Sequence, residues 1–346
     1  MHTQQLAILD AFDAARCASP AMHAIDIAQR LAISEGELQA ARLGRDVTTL
    51  SLAPAELAAR LCQLGEVKAL TRSSAAVLEQ QGHYPPPASA GLLLDPGGLD
   101  LRLHLHHWHW SCLIRDAIVA ADGHTLTRHS LQIFDRHGRA LHKLFSLESS
   151  LPEAWQQLAA EGNNQPPSFT RLAQPPSRPL PQAPGLGDDW ARMRDVHQFF
   201  GLLRRHGLQR HEANSLMEGR FTRALSAATC AQALTQAAAN NLPLMLFVAS
   251  PGCVQIRSGT VPAPQRQRGW LNLFGKNFTL HLDDASIDSV WQVHKPNRDG
   301  GVTSLEAFSH TGELLLQIYA ERGEGNAERS DWRHLLDDLE AREAAA

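Results

Sequence analysis

The chain repeats itself. "SLQIFDRHGRALHKLF" (130–145) lies without gaps on "SLEAFSHTGELLLQIY" (304–319) at an offset of 174, with matches at Ser130/Ser304, Leu131/Leu305, Phe134/Phe308, Gly138/Gly312 and Leu141/Leu315. Upstream, "AISEGELQAARLGRDVTTLS" (32–51) lies on "GLQRHEANSLMEGRFTRALS" (207–226) at an offset of 175, with matches at Glu37/Glu212, Leu50/Leu225 and Ser51/Ser226. Two nearly equal offsets over segments of unlike character point to two copies of one architecture.

Each copy reads as helices followed by an antiparallel meander. "HAIDIAQRLAISEGELQAARLG" and "VHQFFGLLRRHGLQRHEANSLMEG" carry helical spacing. "LDLRLHLHHWHWSCLI", "LFVASPGCVQIRSG", "FTLHLDD" and "SVWQVHK" carry strand alternation, and "DRHG" and "SHTG" are turns at the centre of two hairpins. The expected class is α+β: a tandem structural repeat, each half built of helices plus a large antiparallel β-sheet. The expected boundaries are 1–162 for the first repeat, a proline-rich semi-rigid linker over 163–189, and 190–346 for the second. A pseudo-twofold with a cleft where the halves meet is the expected place for a ligand.

Composition narrows the classes. The 346 residues are 43% hydrophobic, enough for a sizeable core, and the formal charge of −4 marks no nucleic-acid surface. The N-terminal "MHTQQLAILDAFDAARCASP" places Asp10 and Asp13 among its apolar residues and has no signal-peptide pattern. No apolar run is long enough to span a bilayer, so a cytoplasmic protein is expected. Cys17, Cys62, Cys112, Cys230 and Cys253 form no CxxC pair, against a disulfide framework, a zinc knuckle or covalent c-type haem attachment. GxGxxG, GxxxxGK[ST], HExxH and GxSxG are all missing.

Three places carry chemistry. In "LRLHLHHWHW" (101–110), read as one strand, Leu101, Leu103 and Leu105 point one way and Arg102, His104, His106, Trp108 and Trp110 the other. That face is either a partly solvated sheet surface, a zinc or copper site among His104, His106, His107 and His109, or an Arg102 anion clamp beside a flat apolar ligand. The second place is His197 in "DVHQFF". Its plain reading is a packed or surface histidine; its functional reading is an axial ligand for haem iron. An offset of 175 sets Met22 opposite it, or His23 after a one-residue slip, which would suit a site present in one copy. The third is the C-terminal hairpin. Gln317 and Tyr319 share a strand face, with Lys143 and Phe145 as first-repeat equivalents, and Lys295 and Arg322 lie nearby in sequence. Together they suit carboxylates beside an aromatic plane; the plain reading is an edge strand with solvated charges.

These segments resemble a known family. "DIAQRLAISEGELQAARLG", "LQIFDRHGRALHKLF", "DVHQFFGLL", "GCVQIRSGTV", "WLNLFGKNFTLHL" and "GGVTSLEAFSHTGELLLQIYAERGEG" are similar to the hemin-degrading factor family of cytoplasmic haem-utilisation proteins of Gram-negative bacteria, the HemS, ChuS, HmuS and PhuS type. The resemblance covers nearly the whole chain, duplication included. It implies one non-covalent haem b in a cleft at the C-terminal half, with elements of both halves around it. His197 takes the place of the proximal iron ligand, and Arg102 that of the contact to the distal face, with a catalytic part in any haem cleavage. Lys295, Gln317, Tyr319 and Arg322 fall where the family lines the haem and its propionates, and Arg210 joins them. The implied role is haem utilisation and iron acquisition: degrading haem to release iron, or delivering it to a haem oxygenase. The alternatives are a pure haem chaperone and a histidine-rich metal-binding protein. Implied partners are a haem oxygenase, an electron-donating reductase, an upstream haem importer and a second copy in a homodimer. "HLHHWHWSCLIRD" is richer in histidine than the family pattern, so His104 or His106 competes with Arg102 for the distal side.

Overall fold

The computed structural model of the protein describes residues 2–119, 125–148, 150–172, 179–323 and 325–344. The first half runs α1 (His2–Ala18), α2 (Ala24–Arg30), α3 (Glu35–Ala41), β1 (Val47–Leu50), α4 (Pro54–Arg60), β2 (Val67–Arg72), β3 (Ala76–Gly82), β4 (Leu92–Leu93), β5 (Asp100–Leu103), β6 (Trp110–Val119), β7 (Thr125–Phe134), β8 (Ala140–Ser146) and α5 (Glu153–Ala160). The second half runs α6 (Leu186–Ala191), α7 (Gln198–His206), α8 (Arg210–Leu216), β9 (Thr222–Leu225), α9 (Thr229–Ala239), β10 (Leu244–Ser250), β11 (Cys253–Gly259), β12 (Gln265–Gln267), β13 (Trp270–Phe274), β14 (Phe278–Leu282), β15 (Ser289–Lys295), β16 (Val302–Phe308), β17 (Leu314–Ala320) and α10 (Ser330–Ala344).

The chain folds into two compact units, the first of residues 1–71, 80–174 and 250–254, the second of 72–79, 175–249 and 255–346. The first contains an antiparallel sheet ordered β1-β6-β7-β8-β2. The second contains β9-β15-β16-β17-β10 in the same arrangement. The expected α+β tandem repeat is therefore present, with a large sheet in each copy. Of the 163–189 stretch, 173–178 lie outside the described residues, Asn163 pairs with Thr49, and the helix α6 starts at Leu186.

The repeat is faithful down to its turns. The hairpin β7–β8 bulges at Ile133/Phe134, and β16–β17 bulges at the equivalent Ala307/Phe308. Helix α3 starts with a capping box of Ser34 and Glu37, and α8 with one of Gln209 and Glu212, 175 residues later. Gly138 and Gly312 close the two hairpin turns at φ +74° and +78°, the left-handed region that L side chains resist. Buried tryptophans in both copies donate the indole N–H to main-chain carbonyls, among them Trp155 to Leu64 and Trp332 to Thr303, both at 2.9 Å.

In the second unit the sheet is packed on both faces. On one lie α9 and α10, with Leu234, Ala237, Trp332 and Leu336 against Leu244, Leu305 and Ile318. On the other lie α6, α7 and α8, with Trp190, Phe199, Leu202 and Ala213 against Trp291, Val293 and Phe308. Helix α7 is amphipathic: Phe199, Leu202 and Leu203 are buried while Phe200, Arg204 and Arg205 are exposed. Gly207 at φ +63° ends it and lets α8 begin three residues later.

One expected element is different. The stretch 99–114 is not one strand. β5 ends at Leu103, a 3₁₀ turn occupies Leu105–His107, and β6 starts at Trp110. The His104 N–H donates to the Gly252 carbonyl (3.0 Å) and the His107 N–H to the His104 carbonyl (3.0 Å), so the main chain leaves its ladder there. Alternation of leucine with polar residues continued through the turn and hid it.

The first repeat's turn gives a stability test. A Cβ on Gly138 would lie 2.2 Å from the Ser34 hydroxyl that caps α3, whereas one on Gly185 (φ +80°) would meet nothing within 4 Å. Gly185→Ala is expected to cost about 1–2 kcal/mol for the left-handed backbone. Gly138→Ala adds the loss of the cap, about 1 kcal/mol more. Urea unfolding of both variants measures the difference; equal losses would contradict the packing of the turn under α3.

Candidate functional site

His197 is the residue immediately before α7, in helical conformation at φ −67°, ψ −19°. Its imidazole is 85% exposed. The backbone N–H of His197 donates to Asp195 Oδ1 at 2.8 Å, and the same oxygen faces His197 Nδ1 at 2.7 Å. An ionised carboxylate only accepts, so a proton sits on Nδ1, and Nε2 is the ring nitrogen left to ligate a metal when the imidazole is neutral. Asp195 is held below the usual carboxylate range, first by the His197 backbone N–H, which outweighs partial burial, then by the imidazole. The Gln198 side-chain oxygen accepts from the backbone of Arg194 (2.8 Å) and Asp195 (3.3 Å), fixing the turn from below. Phe199 anchors the start of the helix by an edge contact with Trp190, centroids 4.7 Å apart. Phe200, three residues from His197, is 62% exposed. Residues three apart share a helix face, so an exposed imidazole and an exposed phenyl leave the chain on the same side.

Beneath this face lies a buried charge cluster. Glu306, at the centre of β16, is fully buried. Its Oε1 accepts from Lys295 Nζ (2.6 Å), Arg210 Nη1 (2.9 Å), Gln317 Nε2 (2.9 Å) and Ser304 Oγ (3.2 Å). Its Oε2 accepts from Asn214 Nδ2 at 3.2 Å. Burial pushes the Glu306 carboxyl up, but Arg210 and Lys295 beside it overcome that and hold it at about 2. The Tyr319 hydroxyl lies 3.2 Å from Lys295 Nζ and 3.3 Å from Gln317 Nε2. Arg210 lies over the rings of Phe199 (4.9 Å) and Phe200 (5.3 Å), and Lys295 over Phe199 (5.0 Å). Two cations around one carboxylate leave an excess positive charge under an aromatic surface.

Four of the expected residues, Arg210, Lys295, Gln317 and Tyr319, are thus brought together on Glu306. The plain reading of solvated charges on an edge strand fails, because β17 runs between β16 and β10 and Lys295 is 2% exposed. Arg322 stands apart from that cluster, with Nη1 donating to the Asn326 carbonyl (2.8 Å) and 3.5 Å from Asp299. Arg102 lies in the first unit on β5, paired with Asp100 at 2.6 Å and one-third exposed. The 3₁₀ turn removes His104, His106, Trp108 and Trp110 from any common strand face with it. His104 Nδ1 meets the Pro251 carbonyl (3.2 Å), His109 Nε2 the Ser168 carbonyl (2.8 Å), and the His106 and His107 rings pack at 4.1 Å. Among the described residues no group of three or more His, Cys, Asp or Glu is arranged to hold a metal ion. A cavity of about 350 Å³ in the first unit is bordered by Thr49, Trp108, His109, Trp110 and Pro166 and by none of the residues that the family resemblance implies around haem.

Asp195 and Glu306 escape sequence reasoning, and Phe200 enters it only as a member of the aromatic pair after His197. The duplication held the signal for each. The element starts set α7 on α2 at an offset of 174, so His197 corresponds to His23, not Met22, and a histidine stands in both copies. What differs is its surroundings. Asp195 corresponds to Ala21, Phe200 to Asp26, Arg210 to Glu35, Glu306 to Gln132 and Gln317 to Lys143. In the first unit the helix-to-sheet ion pair is reversed in polarity, Glu35 on α3 bonding Lys143 on β8. His23 is exposed and in extended conformation at ψ 150°.

Removing the hub's charge has a stated expectation. Glu306→Gln leaves Arg210 and Lys295 without a buried counter-ion and is expected to cost about 3–5 kcal/mol in chemical denaturation. Because Glu306 titrates at about 2 against an ordinary 4.5, its contribution is complete above pH 4.5 and disappears as pH falls toward 2. That part of the acid dependence is absent from the variant. A loss under about 1 kcal/mol with unchanged acid unfolding would contradict the hub.

Relatives carry the same architecture. The domain family described as haemin-degrading HemS/ChuX matches residues 32–161 and again 207–339, one match per repeat. The hemin transport protein HmuS of Yersinia pestis is 36% identical, covering 96% of this chain and 97% of its own. The heme degrading enzyme ChuS of Escherichia coli O157:H7 superposes with a TM-score of 0.89 at 35% identity, covering 97% of this chain and 99% of ChuS. Holo-PhuS, a heme-binding protein from Pseudomonas aeruginosa, superposes at 0.85 and 35% identity, covering 96% and 97%. With its domain matched over most of the chain and in both repeats, the chain belongs to the haemin-degrading HemS/ChuX family.

Proposed function

We propose that the protein binds haem as its cargo in haem uptake and utilisation, with His197 as the proximal iron ligand. The observation that carries this is the His197 side chain: exposed, oriented by Asp195 through Nδ1, with Nε2 left as the ligating nitrogen and exposed Phe200 three residues on. Neutral imidazole in that tautomer is a good donor to haem iron. Phe200 gives the macrocycle an apolar surface. The excess positive charge of the Arg210–Lys295–Glu306 cluster suits the propionates, with Gln317 and Tyr319 as hydrogen-bonding groups beside it. Arg322 and Arg102 remain proposed haem contacts on the family resemblance, Arg102 for the distal face. The scattered cysteines fit a non-covalent haem b.

The relatives divide between two outcomes: ChuS is a heme degrading enzyme, HmuS a hemin transport protein. In degradation haem would supply the redox reactivity, and in either case this chain supplies binding and orientation. We place the protein in the cytoplasm. Among the described residues no helix is long and apolar enough to cross a membrane. A haem importer upstream, and a haem oxygenase or an electron-donating reductase downstream, are the proposed partners, with a homodimer as the proposed assembly.

Haem titration of His197→Ala tests the ligand. The expected result is a displaced Soret maximum and at least about tenfold weaker binding; an unchanged spectrum and affinity would contradict it. Single-turnover spectroscopy with a reductant, in the presence of catalase, separates the two outcomes. Loss of the Soret band with iron release identifies an enzyme. A stable band with transfer to a haem oxygenase identifies a carrier.

A further inference from the structure

We infer that Asp195 is a positioning residue that sets the ligand strength of His197, giving the imidazole anionic character and biasing bound haem toward the ferric state. The inference rests on the reading of His197 as the iron ligand. It starts from one oxygen: Asp195 Oδ1 lies 2.8 Å from the His197 backbone nitrogen and 2.7 Å from Nδ1. The two bonds fix both the backbone and the ring of the same residue. With Nδ1–H donated to a carboxylate, negative charge is drawn through the ring to Nε2, and a ligand so polarised stabilises the higher oxidation state of its metal.

The first repeat supplies the comparison. His23 stands at the same position before its helix, but Ala21 replaces Asp195, and no side-chain bond caps that helix start. An exposed histidine at this place therefore needs no carboxylate for the fold. As an exposed pair, side chains 85% and 58% accessible, the Asp195–His197 contact adds little to stability in water. A flat apolar ligand lying over the imidazole and Phe200 excludes water from that contact, and the same charge then acts in a lower dielectric. The carboxylate gains its effect when the ligand arrives.

Three variants test this. Asp195→Asn keeps an oxygen to accept both bonds but removes the charge; Asp195→Ala removes both; His197→Ala is the control for the ligand itself. The readouts are the iron–histidine stretching band of the ferrous haem complex, the midpoint potential by spectroelectrochemistry, and the His197 ring tautomer in the haem-free protein by nitrogen-15 NMR. The expected results are a lower stretching frequency and a more positive potential in Asp195→Asn, and a larger shift in Asp195→Ala. Haem-free parent protein is expected to hold the Nδ1–H tautomer, and Asp195→Ala to relax toward the mixture of free imidazole. If His197→Ala changes ligation while Asp195→Asn moves neither band nor potential, the inference is overturned and the haem reading stands. If His197→Ala leaves the haem spectrum unchanged, both are overturned.

Discussion

The second unit is organised around a carboxylate that cannot be left alone. Glu306 sits in the middle strand of a five-stranded run, covered on both faces, and a buried charge there requires partners. Arg210 reaches it from the first turn of α8, Lys295 from the end of β15, Gln317 from β17 and Asn214 from α8. Meeting those demands fixes α8 on the sheet. The short turn at Gly207 then places α7, and with it His197 and Phe200. Position at the surface thus follows from charge balance in the interior. The arrangement is not simply a way to hold a helix, because the first unit does that with Glu35 and Lys143 in opposite polarity.

That reversal explains how one fold, duplicated, yields unlike surfaces. Both copies place a histidine before the corresponding helix. In the second, its neighbours are a phenyl and a guanidinium stacked over two rings. In the first, the equivalent places hold Asp26 and Glu35. An anionic, flat, apolar ligand is attracted to the first set and repelled by the second. A few substitutions on a constant scaffold are enough, since fold and function are separable.

Much of this was legible in the chain, for physical reasons that can be traced. The hairpins around "DRHG" and "SHTG" stood out because glycine at positive φ and alternating apolar residues leave few other structures. Lys295, Gln317 and Tyr319, read together with Arg322, stand out as residues suited to a carboxylate, and Arg210 joins them only through the family resemblance; that the carboxylate is the protein's own Glu306 does not show in the sequence. A lone glutamate in "SLEAF" reads as a solvent-facing position, and only the pairing of β16 on both edges makes it buried. The histidine-rich stretch failed differently. Its period-two pattern runs on through a 3₁₀ turn whose start is held by a main-chain bond from His104 to Gly252, a residue far away in sequence. Asp195 was hidden because two-residue contacts have no periodicity to detect.

The central claim is that iron binds at His197 in the second unit. A crystal structure of the haem complex, with anomalous scattering at the iron edge, tests it most directly. The account predicts the iron peak within bonding distance of His197 Nε2, Asp195 still bonded to Nδ1, and the Glu306 cluster unmoved. An iron peak on His104, His106 or His107, or haem bound with no ligation from His197, would contradict it.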